Sequence, residues 1–235
     1  MTAFRLAQGG AVDRGQPYAF TFDGRPLLGL KGDSIASALL AAGVQIVGRS
    51  FKYHRPRGIW GAWTEEPNAI VDVTRSGRTT PNLRATTEAL EDDLAVRSVN
   101  ALPTAAYDRA ALIDKFSAFM PSGFYYKTFL WPRWETFEPA IRSFAGLGII
   151  DPNNRPPADN PQINARCDTH VVGAGPAGLA AANAAARGGK VVFLLDDREN
   201  IGGQLVHRGE TLRAQIGAHG LKASAPQSNR PAAAS

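Results

Sequence analysis

Cysteine is nearly missing from these 235 residues: Cys167 stands alone. No disulfide can close within the chain, and its own residues cannot supply the several thiolates of a zinc or iron–sulfur centre. Histidine is scarce as well, and His54, His170, His207 and His219 are scattered without ligand spacing. No stretch approaches the ~18 apolar residues of a membrane span. The opening Met1-Thr2-Ala3-Phe4-Arg5 lacks the apolar core of a secretory signal. These absences lead us to expect a cytoplasmic, reducing location without membrane association. Charge of either sign is also in short supply. With 26 basic and 21 acidic residues the net charge is +5, which can assist an anionic cofactor but does not by itself argue for nucleic acid. A content of 44% hydrophobic and 20% charged residues is that of a globular chain.

What the sequence does contain is a glycine fingerprint in full register. Val171-Val172 runs into Gly173-Ala174-Gly175-Pro176-Ala177-Gly178, which opens an Ala-rich helix over 176–187 that stops at Gly188-Gly189. A second apolar run, Val191 to Leu195, ends in Asp196-Asp197, about 20 residues after the glycines, as a dinucleotide site requires. Each residue type has a physical reason. Gly173 allows the tight turn, Gly175 lets a pyrophosphate approach the backbone, and Gly178 lets helix and strand pack closely. The Ala177 N–H lies in the first helical turn, where donors without helical partners and the helix dipole favour phosphate. Asp196 is placed to accept hydrogen bonds from an adenosine ribose. Its charge would repel a 2′-phosphate, favouring NAD or FAD over NADP, and Arg198 weakens that exclusion without reversing it.

Upstream, Tyr18, Phe20 and Phe22 alternate onto one face before Asp23-Gly24, a hairpin signal. A second strand passes through Leu27-Leu28-Gly29-Leu30. Asp33 or Ser34 then caps a helix whose stripe is Ile35, Ala38, Leu39 and Ala42, stopped by Gly43. Two strands and a helix in this order suggest a β-grasp domain. The expected fold class is therefore α+β followed by α/β: a ferredoxin-like β-grasp domain, then an incomplete Rossmann-type βαβ dinucleotide-binding domain. The expected organisation is a flexible lead-in over 1–16, the β-grasp domain over 17–100, and a connecting helical or irregular segment with a Pro-rich linker over 101–166. A partial nucleotide-binding domain over 167–221 and a disordered tail over 222–235 follow. The segment 84–94 reads two ways, as a helix from Leu83, Leu90 and Leu94, or as a strand at Arg84-Ala85-Thr86-Thr87. Since a doubly wound domain needs more than two parallel strands, either another chain completes the sheet or this chain is truncated; truncation is the expectation.

The segment Gly48 to Gly58 is the most cationic and aromatic part of the chain. Arg49, Lys52, Arg55 and Arg57 are interleaved with Phe51, Tyr53 and His54. We read it as a surface docking another domain or its own Glu65-Glu66, rather than as a nucleic-acid patch. The cluster from Phe124 to Trp134 reads as interdomain core, His170 as a satisfied structural histidine, and Cys167 as a bystander thiol.

At Ser50-Phe51-Lys52-Tyr53-His54-Arg55-Pro56-Arg57-Gly58, Glu65-Glu66-Pro67-Asn68-Ala69, Gly123 to Pro132 and Ala145-Gly146-Leu147-Gly148, the chain resembles the alpha subunit of heterotetrameric sarcosine oxidase. The resemblance covers about residues 17–205. It implies the N-terminal portion of a subunit, within an enzyme that demethylates sarcosine oxidatively to glycine with oxygen and tetrahydrofolate. It implies beta, gamma and delta-type partner subunits, with FAD, FMN and tetrahydrofolate held elsewhere in the complex. Related subunits of opine dehydrogenases and hydrogen cyanide synthases place cluster cysteines where this chain reads Gly58-Ile59-Trp60-Gly61-Ala62-Trp63-Thr64, so no [2Fe-2S] cluster is expected. The resemblance also assigns Arg84 to Thr87 to the closing β-grasp strand. By position it gives Gly173, Gly175, Ala177, Gly178, Asp196, Asp197, Arg198 and Gln204 as the NAD-contacting residues, with FAD as the other possible occupant. No catalytic residue and no metal ligand is expected in this chain. The other readings are an accessory nucleotide-binding subunit of an opine or amino-acid dehydrogenase or hydrogen cyanide synthase complex, and a truncated, non-catalytic interaction module.

Overall fold

A computed structural model describes residues 4–119, 131–144, 164–197 and 201–205, with single positions 123, 129 and 152. Arg198, the Phe124 to Tyr126 aromatics, nearly all of the Pro-rich linker and the 222–235 tail lie outside the described residues. The chain divides into two compact units, Met1–Asn160 and Pro161–Ser235.

The first unit is built on a five-stranded mixed sheet. Strands β1 (Asp13–Phe22) and β2 (Arg25–Lys31) form an antiparallel hairpin in which Phe22 pairs with Arg25. Its two-residue turn, Asp23 and Gly24, has positive φ at both positions (50° and 79°), the conformation that matches strand twist and that Asp-Gly favours. Phe20 and Phe22 point inward and are buried. The strand starts earlier than the lead-in suggested, and its register shifts between Asp13 and Pro17, where proline offers no N–H to the ladder. The lead-in itself is tied down: Arg5 donates to Asp33 from Nη1 at 3.1 Å and from Nη2 at 2.5 Å.

Helix α1 (Ile35–Ala41) is capped by Ser34, whose hydroxyl accepts the Ser37 N–H at 3.2 Å, so Ser34 rather than Asp33 is the cap. Asp33 instead accepts the Leu30 N–H at 2.8 Å and the Ser37 hydroxyl at 2.7 Å. Ile35, Ala38 and Leu39 are fully buried against the sheet. A short ladder, β3 (Gly48–Arg49) with β4 (Pro56–Arg57), carries the basic segment. Next come β5 (Ile70–Arg75) and β6 (Arg78–Arg84), an antiparallel pair, and β7 (Leu94–Ser98). The sheet order is β2-β1-β7-β5-β6, with β7 parallel to β1 and antiparallel to β5.

Residues 84–87 are therefore not the closing strand. Arg84 ends β6, and the chain then turns, with the Thr87 N–H and hydroxyl both bonding the Arg84 carbonyl at 3.0 and 3.1 Å. Thr86 donates its hydroxyl to the Trp63 carbonyl at 2.5 Å. Threonine hydroxyls that capture nearby carbonyls offer the backbone an alternative to a ladder. The central strand is supplied ten residues later, where Leu94 and Val96 are buried and Ala95 and Arg97 exposed, the two-residue alternation of a strand. The helical reading of the region fails for the same reason. Beyond β7 lie a kinked 3-10 segment, Arg109–Phe119, and helix α2, Trp134–Phe144.

The second unit is a βαβ arrangement. Strands β8 (Thr169–Val172) and β9 (Val192–Leu195) pair in parallel, from Thr169 with Val192 to Val172 with Leu195. Helix α3 (Pro176–Arg187) connects them, with Pro176 in its first turn, a position where the missing N–H costs nothing. Gly188 and Gly189 end it, donating to Ala184 and Ala186 at 3.1 and 3.0 Å. His170, read from sequence as a satisfied structural histidine, lies exposed on β8.

Candidate nucleotide-binding site

The glycine turn sits where β8 hands over to α3. Gly173 has φ +98°, a value that disfavours any side chain, and its N–H extends the parallel ladder to the Leu195 carbonyl at 2.7 Å. Gly175 caps the helix with ψ −177° and, being glycine, supplies no side-chain cap, and the first turn carries no acidic residue. An anion meeting that turn would face backbone donors and the positive end of the helix dipole. A Cβ built on Gly175 meets nothing within 4 Å, so the backbone faces open space there. Gly178 is the opposite case, since a Cβ on it would lie 1.8 Å from the Gly173 carbonyl oxygen. The first helical turn is thus pressed onto the strand exit.

Asp196 follows β9 and reaches across to this turn. Its Oδ2 accepts the Ala174 N–H at 2.6 Å, a charge-assisted bond that fixes the carboxylate beside the glycines. Residues 201–205 return to the same place. The Gly202 N–H donates to the Ala174 carbonyl at 2.8 Å. Gly203, at φ +57°, stands so close that a Cβ would be 3.1 Å from Gly175 Cα. Of the residues singled out from sequence, Gly173, Gly175, Gly178 and Asp196 come together. Ala177 stands exposed in the first turn, Gln204 lies half-buried beside Gly203, Asp197 is exposed at the end of β9, and Arg198 is outside the described residues. Sequence reasoning did not assign the packing of Gly203 on Gly175; the Gly202-Gly203 doublet was its signal.

The basic segment clasps its own unit. Arg49 Nε donates to the Ala105 carbonyl at 2.8 Å, buried His54 Nδ1 lies 2.7 Å from Asp108 Oδ2, and Arg55 Nε donates to Asp114 at 2.9 Å. Lys52 and Arg55 sit over the Tyr53 ring at 4.6 and 4.7 Å. Arg49, His54 and Arg55 thus hold residues 105–114. Glu66 is itself fully buried. Its Oε2 accepts the N–H groups of Trp60, at 2.6 Å, and Gly61, and its Oε1 those of Asn68 at 2.6 Å and Ala69 at 3.0 Å. Burial pushes this carboxyl up, but the four N–H donors together outweigh it and hold it below the usual glutamate value.

Residues 15–101 match a family described as a 2Fe-2S iron-sulfur cluster binding domain, and residues 168–219 match the FAD dependent oxidoreductase family. The sarcosine oxidase alpha subunit of Rhizobium meliloti (strain 1021) is 50% identical over 221 residues, 93% of this chain and 22% of that one. The sarcosine oxidase alpha subunit of Corynebacterium sp. (strain P-1) is 35% identical over 208 residues, 87% of this chain and 17% of that one. The crystal structure of L-proline dehydrogenase from P. horikoshii aligns at a TM-score of 0.43 and 17% identity over 87% of this chain and 28% of that chain, too loosely to bear on the site. The donor set of residues 15–101 does not fit a thiolate-held cluster, because that span contains no cysteine. Among the described residues no group of three or more His, Cys, Asp or Glu is placed to hold a metal, and no helix is long and apolar enough to cross a membrane. Over 93% of its length the chain is a homologue of the sarcosine oxidase alpha subunit, and it spans about a fifth of the length of the curated relatives it matches.

Proposed function

We propose that this chain is the N-terminal portion of a sarcosine oxidase alpha-type subunit, and that its second unit seats an adenine dinucleotide. In this reading the first unit is a ferredoxin-like β-grasp domain and the second an incomplete Rossmann-type domain. The observation that carries the proposal is the Asp196 carboxylate, held 2.6 Å from the Ala174 nitrogen at a glycine turn whose Gly175 faces open space. The pyrophosphate would lie on the backbone of Gly175 to Gly178, with the Ala177 N–H as a donor, and the adenosine ribose hydroxyls on Asp196. Gln204 and Asp197 would flank it.

NAD and FAD share the adenosine diphosphate that these residues would hold. The acidic Asp196 suits either and disfavours a 2′-phosphate, and the match of residues 168–219 to FAD dependent oxidoreductases favours FAD over our sequence preference for NAD. When bound, the dinucleotide supplies hydride or electron transfer; the residues named here bind and orient it. The whole assembly would oxidise sarcosine to glycine with oxygen and tetrahydrofolate, through beta, gamma and delta-type subunits carrying FAD and FMN.

The test is the nucleotide retained by the purified chain, released with acid and identified by chromatography, for the wild type, Gly175→Val and Asp196→Ala. The wild type should retain NAD or FAD and both variants should lose most of it. Retention that is equal in all three, or absent in the wild type at saturating nucleotide, would contradict the reading.

A further inference from the structure

The loop between β4 and β5 brings backbone N–H groups from two separate stretches to one point. Trp60 and Gly61 approach from one side, Asn68 and Ala69 from the other, and all four donate to the two oxygens of Glu66. The carboxylate has no exposure to solvent. Converging backbone donors of this kind form an anion-binding concavity, used elsewhere for phosphates and iron–sulfur clusters. Here the anion belongs to the loop itself. The surrounding span, 15–101, matches a cluster-binding family yet offers no thiolate.

We propose that Glu66 is a built-in anion filling the N–H nest of the 58–69 loop, so that a domain of cluster-binding type keeps this loop closed without a cluster. The loop is braced independently of the carboxylate. Arg84 Nε holds the Glu66 carbonyl at 3.0 Å, Thr86 holds the Trp63 carbonyl, and the Val47 N–H holds the Arg57 carbonyl at 2.9 Å. Gly58 is pressed so near Gln45 that a Cβ would lie 2.7 Å from its carbonyl oxygen. Truncating Glu66 therefore leaves a nest of four donors with a void the size of a small carboxylate. Formate fits that void and restores the missing acceptor oxygens.

Thermal unfolding of the full chain, followed in sodium formate and in sodium chloride of equal ionic strength, tests this. Glu66→Ala should unfold several degrees below the wild type, and formate should raise its midpoint progressively, with the logarithm of its concentration once that exceeds the dissociation constant, as mass action requires of a ligand bound only by the folded state. The wild type should respond to formate no more than to chloride. An equal response of both proteins, or a folded Glu66→Ala indifferent to formate, overturns the proposal. Should Glu66→Ala not fold in either salt, the wild type decides. The amides of Trp60, Gly61, Asn68 and Ala69 should exchange slowly and shift together in a single acid titration by NMR; free exchange, or shifts at separate pH values, overturns it. So does uptake of a [2Fe-2S] cluster by the wild type on reconstitution with iron and sulfide.

Discussion

A Cβ on Gly178 would lie 1.8 Å from the carbonyl oxygen of Gly173, a separation that only a residue without a side chain permits. Three residues further towards the N-terminus, Gly175 has room for a Cβ and an ordinary φ of −72°. The two glycines therefore separate fold from binding. Gly178→Ala must push the helix off the strand and should destabilise the second unit by about 1–3 kcal/mol. Gly175→Ala should leave stability within about 0.5 kcal/mol while lowering nucleotide affinity. Urea unfolding of both variants, paired with nucleotide titration, checks the contrast.

Asp196→Asn keeps the shape of the side chain and removes its charge. It should weaken the bonds to Ala174 and to the ribose, and hydrogen bonds to a charged group contribute about 1.5–3 kcal/mol each. A loss of affinity of roughly tenfold to a hundredfold follows. The repulsion of a 2′-phosphate should fall with the charge, so the ratio of NAD to NADP affinity should drop. Calorimetric titration with both nucleotides reads the two effects together.

Acid should act through Glu66. Its carboxyl is held below the ordinary value of 4.5 in the folded chain, so its stabilisation is fully present above that value. It is lost as pH falls through the lower, folded value. Denaturant midpoints measured from pH 6 downward should decline in the wild type, and Glu66→Gln should lack this share of the decline. A variant as steep as the wild type would show that the loss arises elsewhere.

Arg5 closes the N-terminal arm onto Asp33, a carboxylate that is only 2% exposed. Arg5→Ala leaves Asp33 with the Leu30 N–H and the Ser37 hydroxyl but without a cation. A loss of about 1–3 kcal/mol is expected, and residues 6–12 should become early sites of limited proteolysis. Unchanged cleavage would mean that other contacts hold the arm.

What could be read from sequence was what neighbours dictate. The Asp23-Gly24 turn, the Tyr18-Phe20-Phe22 alternation and the glycine turn between β8 and α3 all depend on residues close in the chain, and each lies where its local chemistry put it. The failures were long-range. Arg84 to Thr87 looked extended, but the partner that closes the sheet is β7, and nothing local ranks Leu94–Ser98 above it. Arg49, His54 and Arg55 find their partners in residues 105–114, more than fifty positions away. Glu66 read only as half of an acidic pair with Glu65, a possible partner for the basic segment. Only the folded loop shows that its acceptors meet four amides. At the candidate site, spacing identified the glycines and Asp196, whereas the approach of Gly203 to Gly175 required the return of a segment whose path the fingerprint does not encode.

Co-crystallisation of the full chain with NAD, and separately with FAD, tests the central claim most directly. The account predicts pyrophosphate density on the backbone from Gly175 to Gly178 and a ribose within hydrogen-bonding distance of Asp196, for at least one of the two. A dinucleotide ordered elsewhere on the chain, or bound with Asp196 away from the ribose, would contradict it.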